Sequence, residues 1–158
     1  MRIFNASVLS KLLLSCETWC LPQNLLDKLE SFQTRCLRRI IWKKNVFQKN
    51  PEVRKKCQQP TVESIIRSRR LSWLGHVQRM KNDRIPKILL WGKPSQGKQK
   101  QQRMKLRWTD LIHEDLKHHS IQPNEWTTVC QDRKKWRSII KTDRSFVTKK
   151  ERSKLNQS

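Results

Sequence analysis

The groups in this chain best equipped for chemistry are its carboxylates, thiols and imidazoles, set among a dense population of guanidinium and ammonium ions. Two-metal phosphoryl transfer needs carboxylates clustered closely enough to hold divalent cations. Asp27, Asp83, Asp110, Asp115, Asp132 and Asp143 are dispersed, and only Asp110, Glu114 and Asp115 are neighbours. On a helix Asp110 and Glu114 share a face at i,i+4, where carboxylates ordinarily meet solvent or a nearby arginine. No serine, cysteine or lysine has the setting of an activated nucleophile. The sequence therefore offers no catalytic residue and no cofactor site, and the chain is expected not to be an enzyme by itself.

Zinc is the other chemistry to weigh. Cys16 and Cys20 are separated by three residues, and His113, His118 and His119 cluster far downstream. A structural zinc site normally shows two tight ligand pairs, whereas His113 and His118 are i,i+5 on a helix. No metal site is expected, and Cys16 reads as a small buried hydrophobe. Cys36, Cys57 and Cys130 bring the thiols to an odd, irregularly spaced five. That pattern is not a secreted disulfide framework; it fits reduced thiols in the nucleus or cytoplasm.

The cations are the strongest signal. The chain carries a net charge of +23, whereas solubility of a small domain needs only about 2–8. Such an excess repels itself in a folded chain and calls for a polyanionic partner. Basic residues interleave with Gln and Trp rather than forming one Lys-rich helix with a clean apolar face, so RNA or single-stranded DNA ranks ahead of a membrane surface. Lys98, Lys100, Arg103, Lys105 and Arg107 form an acid-free run, and four glutamines lie between Pro94 and Lys105. Phosphate contact there would be led by the nucleic-acid backbone and only weakly sequence-selective.

Arg69, Trp73 and His76 fall on one helix side at steps of four and three. They can form a surface that stacks bases and contacts phosphates. Alternatively Trp73 belongs to the core, the usual place for an aromatic on an apolar stripe, with Arg69 snorkelling or paired. For Trp73 the core reading leads; for Arg69 and His76 both stand. Arg133 beside Trp136 poses the same choice, its plainer role being a bond across to Asp110 or Glu114. Arg35, Arg38, Arg39, Arg70 and Arg137 complete the expected nucleic-acid contacts.

These side chains need elements to position them. Leu, Ile, Val and Phe make up about a quarter of the chain, above the roughly 20% below which a charged chain stays disordered. Few glycines and prolines and no tyrosine favour long helices over short strands. Phe4, Val8 and Leu12 suit a helix from Ile3 to Trp19, closed by Pro22. That N-terminal run is too short and interrupted to span a membrane, and no small-residue cleavage site follows it. Leu25, Leu29, Phe32, Cys36 and Ile40 mark the apolar face of the next helix. Asn50-Pro51 opens a short helix through Lys56, and Pro60-Thr61 a long one striped by Val62, Ile66, Trp73, Val77 and Met80. Gly75 within it implies a close backbone approach. Ile85 to Trp91 is strand or buried helix. Trp108, Leu111, Ile112 and Leu116 mark a helix, and Trp126, Val129, Cys130, Trp136 and Ile140 a last one begun by Pro123-Asn124. The expected organisation is a helical region over 1–92, a flexible basic linker over 93–107, a helical pair over 108–141 and a disordered basic tail over 142–158. The fold class is all-α, an irregular bundle with Leu29, Phe32, Ile66, Trp73 and Trp136 in its core.

Several stretches also occur in a telling order. They are Leu13-Leu14-Ser15-Cys16-Glu17-Thr18-Trp19, Arg35-Cys36-Leu37-Arg38-Arg39-Ile40 and Arg69-Arg70-Leu71-Ser72-Trp73-Leu74-Gly75-His76-Val77-Gln78-Arg79-Met80. Asp83-Arg84-Ile85-Pro86-Lys87, Lys105-Leu106-Arg107-Trp108 and Asp132-Arg133-Lys134-Lys135-Trp136-Arg137 follow. The ordered set, from Val8 to Lys141, resembles the region C-terminal to the polymerase core of non-LTR (LINE-type) retrotransposon reverse transcriptases. The family usually has Tyr-Gly where Leu14-Ser15 stands, and a Gly-Arg-Pro step where Gln102-Arg103-Met104 stands. Its palm carries an aromatic-x-Asp-Asp turn, and this chain has no Asp-Asp pair. The resemblance implies a thumb-and-tail region that helps hold RNA and DNA beside a polymerase. A helical piece that docks on a polymerase core or another protein through apolar faces is the alternative, and an expressed relic without a role of its own is the third reading.

Overall fold

The computed structural model describes residues 1–41, 48–91, 106–141, 145–148, 151 and 153, and all regular structure among them is helical. The first helix, α1, is π-wound over Phe4–Leu9 and α-helical over Ser10–Leu12. It ends well short of Trp19, because Ser15 takes a left-handed conformation (φ 55°) and a 3-10 turn follows over Cys16–Thr18. Glycine adopts that conformation at least cost, which is the residue the resembled family carries there. Phe4 and Leu9 of α1 are buried together with Leu13 and Cys16 of the turn after it, and Val8 and Leu12 pack partly against them.

The remaining helices are α2 (Gln23–Ile41), α3 (Asn50–Lys56), α4 (Val62–Gln78), α5 (Ile85–Trp91), α6 (Trp108–His118), α7 (Trp126–Val129) and α8 (Arg133–Lys141). Thr61 caps α4, its hydroxyl accepting from the Ser64 amide at 3.1 Å; such a cap contributes about 1 kcal/mol. At the other end Lys87 Nζ donates to the Gln78 and Met80 carbonyls at 2.9 and 2.8 Å, where a cation favours the helix dipole. The apolar run 85–91 is helix. The single C-terminal helix expected from Pro123 onward is two: the chain breaks after Val129, and the Asp132 carboxylate accepts from the Lys134 and Lys135 amides to start α8.

Two apolar cores hang on α4. Val62 and Ile66 of its first half join Phe4, Leu9, Leu13, Cys16, Leu37, Val53 and Cys57. Leu71 and Leu74 of its second half join Ile112, Leu116, Trp126, Cys130, Trp136 and Ile140. The seam between the two cores thus falls inside α4, between Ile66 and Leu71. The linker read from composition lies almost wholly outside the described residues.

The α2 stripe was expected to face inward, and only Leu29 and Cys36 of it pack, partly buried, against the first core. Leu25, Phe32 and Ile40 are exposed (40, 41 and 51%), whereas Glu30, Gln33, Thr34 and Leu37 are buried. The reason is Arg54, which is 0% exposed and needs polar company. Its guanidinium lies 3.5 Å from Glu30, is 3.4 Å from Thr34 Oγ1, donates to the Phe146 carbonyl at 2.8 Å and pairs with Glu151. The same contacts extend into the basic C-terminal stretch. Within 142–158, Ser145 accepts from the Thr61 amide at 2.9 Å, Thr148 is buried, and Phe146 and Glu151 hold Arg54.

Candidate nucleic-acid interface

α4 and α8 run beside each other and leave a groove of about 700 Å³, lined along α4 from Ser64 to His76. Its closeness is set by Gly75. A Cβ there would lie 2.3 Å from Trp136 Nε1, so only glycine lets the indole seat on α4. The indole N–H then donates to the Leu71 carbonyl at 3.0 Å, and Trp136 and Ile140 form the groove's apolar floor.

Basic side chains border both walls. On α4, Arg69, Trp73 and His76 line the groove with Arg79 just beyond Gln78. The Trp73 and His76 rings are 5.4 Å apart, tilted by 43°. Arg69 Nη1 donates to the Leu13 carbonyl at 2.6 Å and reaches Cys16 Sγ at 3.7 Å, tying the wall to the 13–16 turn. Arg79 Nη1 donates to the Cys130 carbonyl at 2.6 Å. On α8, Arg133, Arg137 and Lys141 follow one another at four-residue steps and are exposed. Among the described residues, Glu17 is the one carboxylate in the lining. Five cations over an apolar floor with a tilted ring pair at the edge can hold a flexible polyanion and offer its bases a flat surface.

Four of the expected contact residues, Arg69, His76, Arg133 and Arg137, are therefore brought together. Arg79 and Lys141 complete the groove and were missed, although Lys141 continues the Arg133–Arg137 row by one more step of four. Trp73, expected in the core, is half-buried at the edge. Arg133 lines the groove, and on α6 the Asp115 carboxylate reaches α4. Arg70 must be withdrawn from the set. It is 7% exposed, and its Nε donates to Asp115 at 2.8 Å while Arg67 reaches the same carboxylate at 3.3 Å. Burial raises the Asp115 pKa, opposed by Arg70 and Arg67.

Arg35 and Arg39 are exposed on α2, away from the groove, and Arg38 donates to the Gln48 carbonyl and Asn50 Oδ1, both at 2.7 Å. Arg107 is exposed at the start of α6. Lys98, Lys100, Arg103 and Lys105 lie outside the described residues. Burial pushes the Cys16 and Cys130 thiols above their ordinary pKa, disfavouring thiolate at both. Among the described residues, no three His, Cys, Asp or Glu side chains gather at metal-binding distance, and no helix is long and apolar enough to cross a membrane.

The chain is similar to an uncharacterised transposon-derived protein of Caenorhabditis elegans, 23% identical over 150 residues that cover 89% of this chain. The match spans 53% of that relative, so the chain corresponds to about half its length. The likeness points to a transposon-related origin. No family model matches the sequence, and no solved structure matches it.

Proposed function

We propose that this chain is a non-catalytic module that binds RNA or single-stranded DNA through the α4–α8 groove. We further propose that it derives from the region following the polymerase core of a non-LTR retrotransposon reverse transcriptase. The groove itself carries the first reading: Arg69, Arg79, Arg133, Arg137 and Lys141 converge on one concave apolar surface against a single carboxylate among the described residues. The ordered motifs and the left-handed turn at Ser15 support the second, beside the transposon-derived relative. Arg and Lys supply phosphate contacts, and Trp73 with His76 supplies base contact without sequence readout.

Titration of fluorescent single-stranded RNA at several salt concentrations tests the reading. With four to six phosphates neutralised, log K falls with log salt at a slope of about −3 to −4. Replacing Arg133, Arg137 and Lys141 by Gln flattens that slope by about 2 units and weakens different sequences nearly equally. Binding that is indifferent to salt, or unaffected by the triple replacement, removes the groove as the site.

A further inference from the structure

The stripe that α2 turns outward is built like one side of a helix–helix interface. Leu25, Leu29, Phe32, Cys36 and Ile40 recur at steps of four, three, four and four, the spacing of one helix face. They run for about 22 Å along the axis at 1.5 Å per residue. Leu25, Phe32 and Ile40 are each at least 40% exposed, and Leu29 and Cys36 pack partly against the first core from the same row. Glycine and proline are absent from the helix, so the stripe is continuous.

Its edges identify the partner. The side of the stripe nearer the core is closed by Leu26, Gln33 and Leu37. The open side carries Lys28, Arg35 and Arg39, all exposed, and a hollow between Lys28 and Arg35 has Phe32 in its wall. Asp27 and Ser31 complete the lining of that hollow, the Asp27 carboxylate accepting from Gln23 Nε2 at 3.1 Å, so three cations face one acid along this margin. Two copies of this chain apposed here would press the cations of one against those of the other, in a chain already at +23. Phosphates would meet the cations but leave the apolar row in water. An apolar row with one basic margin is complementary to an apolar row with an acidic margin.

We propose that the outer face of α2 docks an amphipathic helix of another protein, one that presents an apolar stripe flanked by Asp or Glu to Leu25, Phe32 and Ile40. Two partner features would then be read separately: the apolar row by the stripe, and the acidic margin by Lys28, Arg35 and Arg39. This surface is distinct from the α4–α8 groove, and the two are separable by mutation.

The test uses the full chain and three synthetic helical peptides of about 18 residues, a length that covers the stripe. One has Leu at three- and four-residue steps with Glu along one margin, the second has Lys in place of Glu, and the third scrambles the first. Fluorescence anisotropy should show binding of the first alone. Phe32→Asp should weaken that binding by about tenfold or more, as loss of a central anchor does. It should leave the melting curve and RNA binding unchanged, since Phe32 is exposed. Lys28→Glu with Arg35→Glu should shift preference toward the Lys-margined peptide. Failure of the first peptide to bind, equal binding of its scrambled form, or binding indifferent to Phe32→Asp would overturn the proposal. So would a dimer of the full chain in light scattering that Phe32→Asp dissociates, or RNA binding lost in that variant.

Discussion

The two halves of α4 keep unlike company. The first half belongs to a core whose wall includes a buried arginine, two glutamates, a glutamine and a threonine. The second half belongs to a core of leucines, isoleucines and two tryptophans, fitted so closely that a glycine marks the contact. In the first, Arg54 is enclosed by its partners; in the second, Asp115 takes up Arg70, while Arg133, Arg137 and Lys141 stand exposed at the rim. Net charge alone therefore does not locate a binding surface. What locates it is which arginines the packing has already neutralised.

The sharpest way to break this contrast is to remove the centre of each half. Trp136→Ala should cost about 3–5 kcal/mol in urea unfolding, the range for buried aromatic truncation. Arg54→Leu should cost a similar amount, about 3–5 kcal/mol, because it strands buried carboxylate. The two losses differ in their cure. Adding Glu30→Gln to Arg54→Leu should recover a substantial part of the loss, whereas no change of charge rescues Trp136→Ala. Were Arg54→Leu alone to melt like the parent, the electrostatic account of the first half would fall.

A pH series sharpens the same point with a smaller effect. Burial raises the Glu30 pKa from 4.5 to about 7, against the opposing influence of the Glu63 amide and Arg54. The folded chain thus keeps a proton that the unfolded chain has released between about pH 4.5 and about 7, so the Glu30 contribution to stability declines as pH rises through that window. Glu30→Gln should remove that component, so the melting temperature of the parent should fall relative to the variant as pH increases. Parallel curves would show that Glu30 titrates normally.

The smallest expected effect lies on α2. Phe32→Ala should change stability by no more than about 0.5 kcal/mol, as exposed substitutions do, while Leu37→Ala five positions along should cost about 2–5 kcal/mol. A large loss at Phe32 would restore the inward-facing stripe.

That stripe shows where sequence reading runs out. Periodicity located α2, but the buried face is chosen by Arg54, whose need for Glu30, Gln33 and Thr34 outweighs the apolar row; nothing in the local sequence says which arginine will be interior. The same holds for Arg70, which looks like its neighbour Arg69 until Asp115 is brought against it. Features that depend on a few adjacent residues were legible. The Thr61 cap, the Pro51 start of α3 and the close approach at Gly75 all follow from local chemistry. The break at Asp132 was missed because the apolar spacing runs through it, although an Asp two and three residues before backbone amides is itself a helix start. In the groove, Arg69, His76, Arg133 and Arg137 could be nominated singly, but their convergence depends on packing across 65 residues of chain between Leu71 and Trp136.

The reach of Arg54 has a consequence for the order in which the molecule assembles. Its carbonyl partner lies 92 residues ahead of it, and its second carboxylate 97. During synthesis α2, α3 and α4 emerge long before either, with a buried guanidinium only partly satisfied by Glu30 and Thr34. Among the described residues, the second core draws on nothing beyond α8. The region made first is thus completed last, and contacts of such long span slow the final closure.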